Sequence, residues 1–143
     1  MSDFEVFDID FYDQQARKDL ECPKHDGLLD ISGYSVLLGM YRAKWARFLY
    51  KEEQYRDHMQ QVLNTVYAER YKYYLYDYEY TIDKKDIPIL IKSDSEYKKA
   101  EKLVNEQTQK VKFITEVLGA LNSQSFYLNT AMKHILWKSG ETA

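Results

Sequence analysis

A spacing constrains this chain more than any other feature. From Leu38 onward, apolar or aromatic residues recur at alternating steps of three and four: Leu38, Tyr41, Trp45, Phe48, Tyr55, Met59, Val62, Val66, Tyr73 and Tyr76. Only Glu52 and Glu69 interrupt the series. Such a period lines one side of a long α-helix. A second seam runs Tyr97, Ala100, Val104, Gln107, Val111, Ile114, Leu118, Leu121, Ser125, Leu128, Met132, Ile135. With five glycines and two prolines in 143 residues, little stands in the way of either helix. The fold class follows: mainly α, two long heptad-patterned helices with a short N-terminal helix and a small extended or hairpin element between the long pair.

The expected organisation is one domain over 1–143. An acidic N-terminal arm covers 1–28 and carries a helix from about Asp8 to Glu21. The first long helix spans 31–75, capped by Asp30 or Ser32. An extended segment covers 76–93. The second long helix spans 94–138, with Ser93 and Glu96 at capping-box spacing and a kink near Gly119 and "NSQS".

The segment between the seams is unusual. "YAERYKYYLYDYEY", Tyr67 to Tyr80, holds seven tyrosines in fourteen residues. A tyrosine has an apolar body and a hydrogen-bonding tip, so the run suits core, sheet, protein interface or a stacking platform for bases. From Tyr74 to Tyr80 the tyrosines alternate with other residues, which predicts that the helix gives way near Tyr74 to extended chain. "IPILI", 87–91, is short, β-branched and broken by Pro88, and reads as an edge strand or extended arm.

Net charge is -3 but unevenly spread. Residues 1–30 hold nine acidic and three basic residues, a balance of -6; residues 31–143 hold seventeen basic and fourteen acidic, a balance of +3. The arm is a solvated surface, a dock for a basic partner, or a shield for the chain's own basic face. Lys44, Lys51, His58 and Lys72, with Arg47 nearby, flank the first seam on one side; Arg42, Arg56 and Arg70 flank it on the other. Flanking charges of a coiled coil ordinarily make interhelical salt bridges. The second helix offers few acids and adds Lys98, Lys99, Lys102, Lys110 and Lys112, so phosphates are the competing partner. Around Arg70 and Lys72 the charges interleave with Tyr71, Tyr73 and Tyr74, which pairs cations for a backbone with rings for bases.

Motifs for catalysis are missing. There is no phosphate-cradling GxxxxGK[ST] loop, and His25, His58 and His134 stand apart without a Glu-x-x-His pair. Cys22 and His25 have a metal-like spacing with no second ligand pair, and Cys22 lacks the context of a nucleophile. We therefore expect no enzyme activity, no metal and no cofactor. The lone cysteine fits a reducing cytoplasm, the acidic start resembles no secretory signal, and no apolar run is long enough for a membrane span.

Read in order, "MYRAKWARFLYKEE", "AERYKYY", "IPILIKSDSEYKK" and "VKFITEVLGALNSQSFYLNTAMKHILWKSGE" resemble the UvsY family, the recombination mediators of T4-like phages. The resemblance runs from about Leu29 to Gly140. It carries Lys44-Trp45, Arg70 before Tyr73-Tyr74, an apolar segment followed by Ser-Asp, and "LN-x-x-x-F". It implies a protein of the infected host's cytoplasm that binds single-stranded DNA and assembles into a hexamer- or heptamer-like ring. It implies loading of a UvsX-like recombinase onto DNA covered by the phage single-strand binding protein, without nucleotide hydrolysis of its own. The resemblance places Arg70 at the Arg of the family's DNA-binding signature, with Tyr73 and Tyr74 after it. Ala68 stands where that signature has Lys, and Gln124 and Asn129 stand where members often have Arg and Lys. With the flanking cations, the expected DNA contacts are Arg70, Lys72, Lys44, Arg47, Lys51, Tyr73 and Tyr74. The expected subunit contacts are Leu118, Leu121, Leu128, Met132, Ile135 and Trp137. The competing reading is an adaptor coiled-coil oligomer that binds no nucleic acid.

Overall fold

The structure, a computed structural model, describes residues 9–21 and 28–140, and the side chains of all of these except 28–32. Cys22 and His25 lie outside the described residues. In chain order the elements are α1 (Ile9–Asp19), α2 (Leu28–Lys72), a π-type turn (Tyr73–Asp77), a 3-10 turn (Lys84–Asp86), α3 (Ile87–Ser93) and α4 (Ser95–Lys138). The mainly α class holds, and no strand occurs among the described residues. No described helix is long and apolar enough to cross a membrane. Helix α2 begins at Leu28, so Asp30 and Ser32 fall inside it rather than at its cap. Helix α4 runs unbroken through Gly119.

"IPILI" is not a strand. It is helix α3, and burial says why. Ile87 and Ile91 are fully buried while Ile89 between them is 66% exposed. A strand would put 87, 89 and 91 on one face; a helix puts only 87 and 91 together. Pro88 sits in the first helical turn, where a missing N–H costs nothing and the fixed φ helps. Tertiary burial of the two isoleucines outweighs their preference for extended backbone.

The chain forms two compact units, residues 1–50 with 112–143, and 51–111. In the first, Tyr12 and Ala16 from α1, Leu38 and Trp45 from α2, and Ile114, Val117 and Leu121 from α4 make one buried core. Tyr12, Trp45 and Phe48 meet as tilted or edge-on rings, centroids 5.2–5.9 Å apart. Asp19, at the end of α1, is buried and accepts a hydrogen bond from Trp45 Nε1 at 2.9 Å, and Lys44 Nζ pairs with the same oxygen. Part of the acidic arm is therefore interior structure, and its burial is made tolerable by an indole donor and an ammonium.

In the second unit, the interruption of the first seam has a partner. Glu52 and Gln107 are both buried polar residues at seam positions, and they face each other. Gln107 Nε2 donates to the main-chain oxygen of Glu52 at 2.8 Å and to its carboxylate. Beyond Glu52 the buried stripe of α2 drifts. Leu63 is buried where the heptad placed Val62, which is exposed, and half-buried Arg70 replaces exposed Glu69. From Glu52 to Leu63 the step is that of an eleven-residue repeat, about 3.67 residues per turn, which a straight helix follows more closely than a heptad. The drift turns Arg70 inward, off the flank where the heptad placed it.

Candidate nucleic-acid interface

The candidate residues of the second unit converge at the C-terminal end of α2. Arg70 Nε and Nη2 both reach Asp94 Oδ2 at 2.9 Å, and Tyr74 Oη donates to the same oxygen at 2.7 Å. The other carboxylate oxygen of Asp94 accepts the backbone N–H of Glu96 at 2.9 Å and of Tyr97 at 3.2 Å. Asp94, not Ser93, is thus the N-cap of α4; Ser93 closes α3. One buried carboxylate starts a helix, holds a guanidinium and fixes a phenol. The Arg70 guanidinium carbon lies 4.1 Å from the centroid of the Tyr73 ring and 5.5 Å from that of Tyr74.

This network sets the local electrostatics. For Asp94, burial favours the neutral acid, but bonds from Tyr74, the Tyr97 N–H and Arg70 outweigh it and hold the carboxyl below its ordinary value. Burial and the bond to Asp94 push the Tyr74 phenol up. Burial alone would lower Arg70, and bonds to Tyr74 and Asp94 reverse that, so the guanidinium is raised. Burial and the neighbouring carboxylate of Glu101 also raise Tyr97, which packs edge-on against Tyr67 at 6.1 Å. Arg70 is therefore engaged with an internal carboxylate, and any phosphate must compete with Asp94 for it.

The other cations differ in how committed they are. Lys72 is exposed, and no ion pair involves it among the described residues. Lys51 lies over the ring of Tyr55, 5.8 Å from its centroid. In the first unit, Lys44 is committed to Asp19 and Gln15, whereas Arg47 is exposed. Interhelical pairing, the ordinary role of such flanks, accounts for Arg70 and Lys44 and not for Lys72 or Arg47.

Of the expected subunit contacts, Leu121 is corrected by its burial. It is wholly inside the core of its own chain and presents no surface to a second copy. Leu118 and Leu128 are partly buried against the same core, Met132 and Ile135 are half-buried, and Trp137 is 76% exposed. Exposed Phe126 and Tyr127, outside the counted seam, line a shallow depression with Asn122 and Ser123. Gln124 works internally: Tyr34 Oη donates to its Oε1 at 2.9 Å, and its Nε2 donates to the Leu20 carbonyl at 3.0 Å. The contacts of Asp94 with Arg70, Asp19 with Trp45 and Gln124 with Tyr34 join residues distant in sequence, so spacing along one helix does not predict them. The acidic residue just after a short apolar run and two residues before Glu96 was the available signal for Asp94. Among the described residues no group of His, Cys, Asp or Glu is placed to hold a metal.

No family model matches this chain, and no curated protein sequence does either. Among solved structures, the crystal structure of the bacteriophage T4 recombination mediator protein UvsY is similar to it, with a TM-score of 0.76 over 92% of this chain and 99% of that one. Identity between the two is 12%. At that identity what the likeness carries is architecture: the chain shares the fold of the T4 mediator along nearly the full length of both.

Proposed function

We propose that this protein is a phage recombination mediator. In this reading it binds single-stranded DNA as a ring-like homo-oligomer in the cytoplasm of the infected cell. There it loads a UvsX-like recombinase onto DNA covered by single-strand binding protein. The observation that carries the reading is the fold shared with the T4 mediator over almost the whole of both chains. The candidate interface supports it from below. Lys72 offers an exposed charge beside Arg70, Tyr73 and Tyr74, and Lys51, Arg47 and Lys44 supply further cations along α2. Arg70 contributes when a phosphate displaces Asp94 or shares the guanidinium with it. The C-terminal part of α4, with Leu128, Met132, Ile135 and Trp137, is the proposed subunit contact.

Fluorescence anisotropy of labelled oligo-dT, measured across a salt series, tests this. Each phosphate contact on a single strand contributes about -0.7 to the slope of log affinity against log salt. We expect tight binding at low salt, a steep slope, and weaker binding to duplex. An oligomer that binds no oligo-dT even at low salt would leave the adaptor reading in its place.

A further inference from the structure

The tyrosines beyond the Arg70–Asp94 pair have no part in the DNA reading. Tyr76 is 77% exposed and Tyr80 66%. Tyr80 stands edge-on to Tyr78 at 5.9 Å, and Tyr78 edge-on to Tyr74 at 5.1 Å and Tyr73 at 5.9 Å. The row therefore begins at half-buried rings fixed by Arg70 and Asp94 and ends at an open one. Past the π-type turn the backbone is extended at Tyr78. Asp77 and Glu79, both exposed, flank Tyr78 in sequence, and neither makes an ion pair among the described residues.

Asp77 and Glu79 adjoin Tyr78 in sequence, so two exposed negative charges repel a DNA phosphate that approaches this row. A cation meets the same carboxylates and the electron-rich faces of the rings. The chain already contains that arrangement in filled form: Arg70 stacks over Tyr73 at 4.1 Å while bonding a carboxylate. We propose that Tyr76, Tyr78 and Tyr80, with Asp77 and Glu79, form a docking surface for an arginine- or lysine-bearing segment of a partner protein. A guanidinium suits it better than an ammonium, because its plane stacks on a ring while its edge bonds a carboxylate. This surface goes beyond the DNA reading and does not depend on it.

The test titrates the full-length protein with a synthetic peptide of three arginines separated by glycines, and with its twin in which citrulline, a neutral isostere, replaces each arginine. Affinity is read by calorimetry, and location by NMR of ring-labelled tyrosine. The arginine peptide is expected to bind and to move the Tyr76, Tyr78 and Tyr80 signals, and the citrulline peptide to do neither. Tyr76→Ala with Tyr80→Ala should weaken binding about tenfold, as expected for two exposed cation–π contacts. The corresponding pair of Phe substitutions keeps the ring faces and should keep the affinity. Asp77→Asn with Glu79→Gln should weaken binding and flatten its salt dependence. All these side chains but Tyr78 are exposed, so helix content should be unchanged.

Failure of wild type to bind the arginine peptide would overturn the proposal, and so would either of two further results. One is an Ala pair that binds the arginine peptide as tightly as wild type. The other is an Ala pair that loses affinity for oligo-dT but not for an abasic strand of equal length, which would assign the row to nucleobases. Failure of wild type to bind oligo-dT would remove the recombination reading and leave this one intact.

Discussion

A single carboxylate joins three structural jobs in the second unit. Asp94 caps α4, pairs with Arg70 and accepts the Tyr74 hydroxyl. Asp94→Ala should cost about 3 kcal/mol in urea unfolding, since it removes a cap and strands a half-buried guanidinium. Asp94→Asn keeps a capping oxygen and should cost less. The pH dependence has a definite sign. Because the Asp94 carboxyl is held low in the folded state, its contribution is present above about pH 4, the ordinary carboxylate value, and is lost as pH falls through its depressed one. The stability gap between wild type and Asp94→Asn should thus shrink below about pH 4. Tyr74 acts at the other end. Its raised phenol contributes below about pH 10 and that contribution is lost as pH rises further. In DNA binding the same pairing separates two neighbours. Lys72→Ala should flatten the salt slope by about 0.7 with stability unchanged, whereas Arg70→Ala should lower the melting temperature as well. Anisotropy and thermal melts on the same samples distinguish them.

Elements of this molecule are defined by which residues they bury. Helix α3 buries Ile87 and Ile91 and exposes Ile89. Ile91→Asp should therefore destabilise by about 3 kcal/mol or more, and Ile89→Asp by less than about 0.5 kcal/mol. Equal costs at the two sites in urea unfolding would mean that the segment is extended after all. Between α2 and α4 of the second unit, the Glu52–Gln107 pair is a polar layer in an apolar seam. Gln107→Leu removes the donor that two oxygens of Glu52 accept and should cost about 2 kcal/mol. Replacing both residues by Leu should restore or exceed wild-type stability, because a buried polar pair is a weak contributor against a packed apolar one. The double variant would also lose a device that fixes which turn of one helix meets which turn of the other. Its sedimentation profile should broaden.

At the scale of the whole chain, the acidic arm and the C-terminal helix have separable roles. Tyr12, Ala16 and Asp19 of α1 are buried in the first unit, so deleting residues 1–21 removes part of a core as well as a charge. The deletion should lower the melting temperature by several degrees, with a loss of DNA affinity only to the extent that the fold is lost. Asp19→Asn retains an acceptor for Trp45 while removing the charge that Lys44 pairs with, and should leave affinity for oligo-dT equal or higher. In α4, Leu128→Glu introduces a charge at the edge of the first unit's core and on the proposed subunit contact. A sedimentation profile that stays oligomeric and folded would move the contact elsewhere, with exposed Phe126, Tyr127 and Trp137 the next residues to test.

The sequence by itself determined the two long helices. Periodic apolar residues and scarce breakers specify them: the first, 28–72, lies three residues earlier at both ends than the expected 31–75, and the second, 95–138, starts one residue later than the expected 94–138. Those features are local, written into spacing and backbone preference. Tertiary structure decided what local spacing leaves open. Strand and helix preferences of "IPILI" are nearly balanced, and burial of Ile87 with Ile91 chose the helix. A heptad and a straight helix differ by a small angle per turn. That angle accumulates past Glu52 until Arg70 faces Asp94 instead of solvent. The pairings of Asp19 with Trp45, Glu52 with Gln107 and Asp94 with Arg70 span 24 to 55 positions. No periodicity within one helix encodes them, because a buried polar group is satisfied by whichever donor the folded chain brings within reach.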